Sequence, residues 1–179
     1  MLETNRLILR APMIGDARPL NEAINRSLEV FTRWMPWAKD PSLKTTEAFI
    51  EKSVAEAGNP TRREIPFIMI LKENQMIIGA TGFNEMSDPL VPYFEIGYWI
   101  DTQCSGQGLT TEAIIALTQY AFTELNAQRV QICCQAENIA SVRVAEKSGF
   151  RLEARLHNQY RDLKTGEVCD RLVFARFGI

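Results

Sequence analysis

The chain has 179 residues, 46% of them hydrophobic and 23% charged, with a formal net charge of −2. That balance suits one globular domain, expected to span 1–179, with a core that needs no disulfide or metal staple. The near-neutral, evenly spread charge gives no footprint for nucleic acid, so no nucleic-acid partner is expected.

The opening MLETNRLILR lacks the apolar run of a secretory signal, and no stretch approaches the ~18 apolar residues of a membrane span. The cysteines (Cys104, Cys133, Cys134, Cys169) form no C-x-x-C pair. A cytoplasmic protein with free thiols and no membrane partner is therefore expected. Cys133 and Cys134 should point to opposite faces of a strand, and Cys104 reads as an exposed bystander in a loop. With a single histidine, His157, neither a metal site nor a histidine-based triad is expected.

In chain order, Arg6 to Ala11 (RLILRA) reads as a strand ended by Pro12. Asp16 can cap a helix from about Ala17 to Arg26, with Leu20, Ala23 and Ile24 on one face. In FTRWMPWAKDP, two tryptophans, a phenylalanine and a methionine crowd around Pro36, and Pro36 and Pro41 prevent one continuous helix. The stretch reads either as a hydrophobic loop on the core or as an aromatic wall, with Trp34 and Trp37, over a substrate pocket. Thr45 or Thr46 opens a helix through about Ala57, with Ala48, Phe49, Ser53 and Val54 periodic, and Gly58-Asn59-Pro60 stops it. Ile65 to Leu71 and Met76 to Phe83 form a hairpin about Lys72 to Gln75. Met86 to Pro92 is a loop.

Tyr93 to Ile100 (YFEIGYWI) is aromatic and β-branched, fit for a strand. Past the loop DTQCSGQG, residues Ala113, Ile114, Leu117, Tyr120, Ala121 and Leu125 recur at helical spacing. Ala127 to Gln135 reads as a strand, Glu137-Asn138 as a break, and the segment to Gly149 as a short helix with a glycine C-cap. Arg151 to Tyr160 and Val168 to Phe177 close the chain as two strands about Asp162 to Glu167. The order β-α-α-β-β-β-α-β-α-β-β predicts an α+β fold with a mixed sheet flanked by helices.

The strand–loop–helix unit is the informative one. A helix start carries unpaired N–H groups and a partial positive charge, and glycines let an anion approach the backbone. Gly106 to Thr110 therefore read as a phosphate cradle. The dinucleotide fingerprint G-x-G-x-x-G fails, because Thr111 stands where the third glycine belongs, and no Gly-Lys-Ser/Thr follows for a nucleoside triphosphate.

Gln103, Gly106 and Gly108 instead spell Q-x-x-G-x-G directly after a strand. This resembles the acyl-CoA pyrophosphate loop of the GCN5-related N-acetyltransferase (GNAT) superfamily. Asn138 to Phe150 (NIASVRVAEKSGF) resembles a second hallmark, N-x-x-[SA]…E-K-x-G-F, one helix and one strand later. RLILR and EIGYWI resemble the first and fourth strands. The resemblance spans nearly the whole chain and is nearest the RimJ/RimL branch, which acetylates N-termini of ribosomal proteins, because of WMPW and EIGYW.

The resemblance implies a mostly antiparallel central sheet whose fourth and fifth strands, Tyr93 to Ile100 and Arg129 to Gln135, splay around the pantetheine arm of acetyl-CoA. It implies cofactor contacts at Ile100, Gln103, Gly106, Gln107, Gly108, Leu109, Thr110 and Asn138, and a backbone donor near Gly97 to Ile100 for the thioester oxygen. Glu95 is the best base candidate, ahead of Glu153, Glu137 and Asp170. The tyrosine that many members place before E-K is replaced by Ala145, so Ser141 is the candidate donor to the departing sulfur, with Tyr98 and Tyr160 as alternatives. Trp34, Trp37 and Tyr98 are candidate acceptor contacts. The implied partners are acetyl-CoA and an amine, either a protein N-terminus or a small molecule such as a polyamine, amino acid or antibiotic. A non-catalytic CoA-binding module is the reading of another class. The resemblance is also compatible with a homodimer.

Overall fold

The computed structural model describes residues 1–59 and 61–178. Its elements are Leu2–Glu3 (β1), Leu7–Arg10 (β2), Ala17–Arg26 (α1), Leu28–Trp34 (α2), Leu43–Ala55 (α3), Ile65–Leu71 (β3), Ile77–Phe83 (β4), Tyr93–Ile100 (β5), Leu109–Glu124 (α4), Arg129–Gln135 (β6), Ile139–Lys147 (α5), Arg151–Arg161 (β7) and Val168–Phe177 (β8). The strands form one sheet in the order β1-β2-β3-β4-β5-β6-β8-β7. Every neighbouring pair is antiparallel except β5 and β6. The α+β expectation of a mixed, mostly antiparallel sheet flanked by helices is met.

Because strand side chains alternate between faces, the sheet has two separate cores. On one face Leu7, Leu9, Met69, Phe94, Ile96, Ile132 and Phe174 pack against Ala113, Ile114 and Leu117 of α4 and Ala145 of α5. On the other, Ile68, Ile70, Ile77 and Ala80 receive Leu20 and Ile24 of α1, Phe31 of α2 and Ile50 of α3. This second core centres on β3 and β4. The same face of β5, β6 and β8 carries polar groups instead. At the sheet's end, β7 is solvent-exposed along nearly its whole length. Two register shifts against β8 and several charged side chains guard that edge against stray pairing.

Four local readings need correction. A two-residue strand, β1, precedes the first predicted one and pairs Leu2 with Leu9. The aromatic stretch is less loop than expected, since Leu28–Trp34 is helical up to Met35, and Pro36 opens a separate 3₁₀ turn. Helix α3 begins at Leu43, because the Ser42 hydroxyl accepts from the Thr45 N–H. It buries Thr46, Ile50 and Ser53, leaving Ala48, Phe49 and Val54 exposed. It ends before the expected Gly58-Asn59-Pro60 stop, whose Pro60 lies outside the described residues. Cys104 is buried, since a 3₁₀ turn over Thr102–Cys104 rolls its side chain into the core beneath α4.

Candidate active site

The site begins where two strands part. β5 and β6 pair in parallel at Tyr93 with Arg129, Phe94 with Val130 and Glu95 with Gln131, and no further, although β5 runs to Ile100 and β6 to Gln135. In an antiparallel pair, alternate residues turn both backbone groups to the same neighbour. The Glu95 carbonyl and the Asp101 N–H bond toward β4. Ile96, Tyr98 and Ile100 therefore present theirs to the gap. On the face with α1–α3, a Cβ built on Gly97 would meet nothing within 4 Å, so an open space lies between Glu95 and Trp99.

Past β5 the chain turns on Asp101, which is fully buried and accepts from the Gln103 N–H at 3.0 Å. Arg26 Nε reaches the same carboxylate at 2.8 Å, and Ser27 Oγ accepts from the Thr102 N–H at 2.9 Å. The junction of α1 and α2 is thus tied to the start of the loop. Gly106 and Gly108 take φ of 75° and 78°, the left-handed region that favours glycine, and Gly108 is the N-cap of α4. No described residue accepts from the N–H of Gly106, Gln107 or Gly108, and the first turn of α4 adds the N–H groups of Leu109 and Thr110. Gln103, Gly106, Gln107 and Gly108 are exposed while Leu109 and Thr110 are buried, and the free N–H groups at this helix start make a surface fit for an anion.

On the α4–α5 face, the Tyr98 hydroxyl lies 2.7 Å from Ser141 Oγ. Burial pushes the Tyr98 phenol up, so it stays a neutral donor. Asn138 caps α5 by accepting from the Ser141 N–H at 3.2 Å, which points the serine toward β5. Cys134 of β6 lies beside the same group, its thiol raised by burial. Tyr98 therefore stands with Ser141 rather than with the tryptophans.

On the opposite face, Glu95 is buried among donors. Its carboxylate accepts from Gln131 Nε2 at 2.6 Å, Asn84 Nδ2 at 2.9 Å, the Tyr93 hydroxyl at 3.3 Å and Cys133 Sγ at 3.3 Å. Phe31, Trp37 and Trp99 form an aromatic wall, with Trp37 and Trp99 centroids 6.0 Å apart. Trp34 instead lies under the Arg33 guanidinium at 4.3 Å, and Arg33 clamps Asp162 of the β7–β8 turn through two bonds of 3.0 and 2.9 Å. The lesser carboxylate candidates lie elsewhere. Glu153 pairs with Arg129, Asp170 with Arg155 and His157, and Glu137 is exposed. Among the described residues no group of three or more His, Cys, Asp or Glu could hold a metal ion, and no helix is long and apolar enough to cross a membrane.

Comparison with known proteins decides the family. Residues 6–151 match the acetyltransferase (GNAT) domain. The chain belongs to the GNAT acetyltransferases. A ribosomal-protein-serine acetyltransferase of Escherichia coli is 31% identical over 84% of this chain and 82% of its own length. The microcin C7 self-immunity acetyltransferase MccE, solved with acetyl-CoA and AMP, superposes with a TM-score of 0.85 at 25% identity, over 97% of this chain and 93% of that one. RimL, the ribosomal L7/L12 α-N-protein acetyltransferase, solved with coenzyme A in disulfide linkage to a cysteine, shares the fold with a TM-score of 0.86 at 22% identity, over 98% and 96%. This acetyltransferase is therefore an N-acetyltransferase of the RimJ/RimL-like branch.

Sequence reasoning missed several residues around this GNAT site: Arg6 and Glu112 beside the loop, Asp101 beneath it, and Gln131, Arg171 and the Arg33–Asp162 clamp on the face of Glu95. Only Asp101, an Asp two residues before a turn N–H, carried a local signal.

Proposed function

We propose that this GNAT enzyme transfers acetyl from acetyl-CoA to the α-amine of a protein N-terminus. The observation that carries the reading is the parting of β5 and β6. It joins a loop of free amides and the Tyr98–Ser141 pair on one side to an open space at Gly97 on the other. The named acceptor of the E. coli relative and the acetyl-CoA of the MccE complex support it.

The loop suits the cofactor chemically, because its unpaired N–H groups and the α4 dipole match a diphosphate. Acetyl-CoA supplies the thioester when bound. In this reading Gly106 to Thr110 hold the phosphates, with Gln103, Gln107 and Asn138 at the rim. The N–H groups of Tyr98 and Ile100, facing the gap, donate to the acyl oxygen as it gains charge. The aromatic wall of Phe31, Trp37 and Trp99 shields the acceptor from water, and Trp34, held under Arg33, lies outside it. The amine nitrogen forms the new C–N bond as the C–S bond breaks. Glu95 takes the amine proton, directly or through one water. Ser141, oriented by Tyr98 and Asn138, donates to the departing sulfur. An α-amine has a pKa of about 7.7–8.0, so a substantial fraction is already neutral near pH 7.5.

Thermal unfolding with and without acetyl-CoA tests this directly. At about 100-fold excess over Kd a ligand specific for the folded state adds about 2.7 kcal/mol, on the order of 5–10 °C for this size. Thiol release should then be much faster with a peptide that has a free N-terminus than with the same peptide N-acetylated. No thermal shift, or release indifferent to the peptide, would defeat the proposal.

A further inference from the structure

Arg171 stands on β8 opposite Gln135 of β6, so it shares the face of Glu95. Its side chain crosses β6, with the guanidinium 5.5 Å over the Tyr160 ring and NH2 at 3.4 Å from Glu95 Oε2. That contact is long, because Gln131 holds the same oxygen at 2.6 Å. Nε is buried with no partner, and no described residue accepts from NH1. The remaining neighbour is the Cys133 thiol, a weak acceptor.

A guanidinium has five N–H donors and accepts nothing. Only 22% of this side chain is exposed, and a buried donor left unpaired is costly. The group is also positively charged, and it touches the Glu95 carboxylate, two residues before the open position at Gly97. The Glu95 carboxylate beside it already accepts from Gln131, Asn84, Tyr93 and Cys133, so the guanidinium donors left over can be satisfied only by an acceptor from outside. An acceptor molecule with a carbonyl oxygen near its amine satisfies them. A polyamine brings only more donors and more positive charge.

We infer that Arg171 is a specificity-determining residue, donating to the carbonyl oxygen of the amino acid whose α-amine is acetylated. The substrate class is then an α-amino carbonyl compound, the N-terminal residue of a peptide, and polyamines are excluded. This rests on the reading above, in which the amine reaches the thioester across the gap between β5 and β6.

The test compares alaninamide with isopropylamine, which has a methyl group in place of the carboxamide, as acceptors for the full chain with acetyl-CoA. For each enzyme form the ratio of the two kcat/KM values is taken, so the different basicities of the amines cancel between forms. Arg171→Met should lower the ratio by about tenfold or more, mainly through KM for alaninamide. Arg171→Lys, which keeps a donor and a charge, should recover part of it. The acetyl-CoA-induced thermal shift of both variants should match that of the unaltered chain. A ratio unchanged in Arg171→Met, or spermidine used as well as alaninamide by the unaltered enzyme, overturns the inference while leaving the acetyltransferase reading in place. If neither amine releases thiol and acetyl-CoA gives no thermal shift, the underlying reading fails first.

Discussion

The guanidinium of Arg6 and the carboxylate of Glu112, 106 residues apart, tie the chain's first hairpin to the glycine loop before α4. Glu112 accepts from Arg6 Nε at 2.8 Å, Arg6 NH2 at 2.7 Å, the Arg6 N–H at 2.8 Å and Thr4 Oγ1 at 2.6 Å. Arg6 NH1 also donates to the Gln107 carbonyl at 3.0 Å. A bare carboxylate in the first turn of α4 would repel a phosphate there, and Arg6 answers that charge.

Arg6→Ala should therefore weaken acetyl-CoA binding. Arg6 is 44% exposed, so the discounted loss is about 1 kcal/mol, or roughly fivefold in Kd by calorimetry. Burial acts to raise the Glu112 carboxyl, but the donors of Thr4 and Arg6 outweigh it and hold it below the ordinary range. With a depressed folded value, its contribution is present above the unfolded pKa of about 4.3 and is lost as pH falls through the folded one. Below pH ~4 the Tm of the unaltered chain should drop more steeply than that of Glu112→Gln. An unchanged Kd in Arg6→Ala would mean the loop holds its shape unaided.

Ser141 and Tyr98 should behave as one unit. Ser141→Ala is expected to lower kcat by about 10²-fold, the low end for a positioned proton donor, with Kd for acetyl-CoA nearly constant. Tyr98→Phe keeps the ring and loses the 2.7 Å bond, so its effect should be smaller. The double variant should be no slower than Ser141→Ala, because groups acting through one another are not additive. Additive losses in single-turnover kinetics would show the two hydroxyls acting independently.

What could be read in advance was whatever the chain writes locally. β5 is as expected over Tyr93–Ile100, since its aromatic and β-branched run is bounded at both ends. The two glycines of the loop need left-handed backbone and have it. The break read at Glu137-Asn138 is where α5 starts, with Asn138 as its N-cap. Helix α2 was obscured because seven residues show less than two full apolar repeats and Pro36 dominates the stretch. β1, at two residues, has no period at all. The polar face around Glu95 was invisible for another reason. Its contacts join residues far apart, as in Arg33 with Asp162 or Arg171 with Glu95, and periodicity names a face but not a partner.

The cysteines offer a check on burial. Burial pushes the Cys133 thiol up to about 12, with Glu95 adding to it, and raises Cys104, Cys134 and Cys169 as well. Because the thiolate is the reactive form, a raised pKa means slow alkylation at neutral pH. Intact protein at pH 7.5 should take up iodoacetamide far more slowly than the same chain in urea, by mass spectrometry. Rapid labelling of Cys104 in the folded state would contradict its place in the core beneath α4.

Glu95 is the residue whose role most needs separating from its surroundings, because a carboxylate held by Gln131 and Asn84 is also a structural link between β5, β6 and the loop after β4. Glu95→Gln preserves size and removes the proton acceptor. If Glu95 takes the amine proton, kcat/KM at pH 7 should fall by about 10²-fold. That deficit should shrink as pH rises from 7 to 9, because an α-amine of pKa about 7.7–8.0 then loses its proton to solvent without help. A structural link predicts a different pair of results. The Tm would fall, since an amide cannot accept from all the donors that now surround the carboxylate, and the rate deficit would stay constant across the same pH range. Rate profiles from pH 7 to 9, read beside the melting temperature of the same preparation, therefore distinguish a base from a brace.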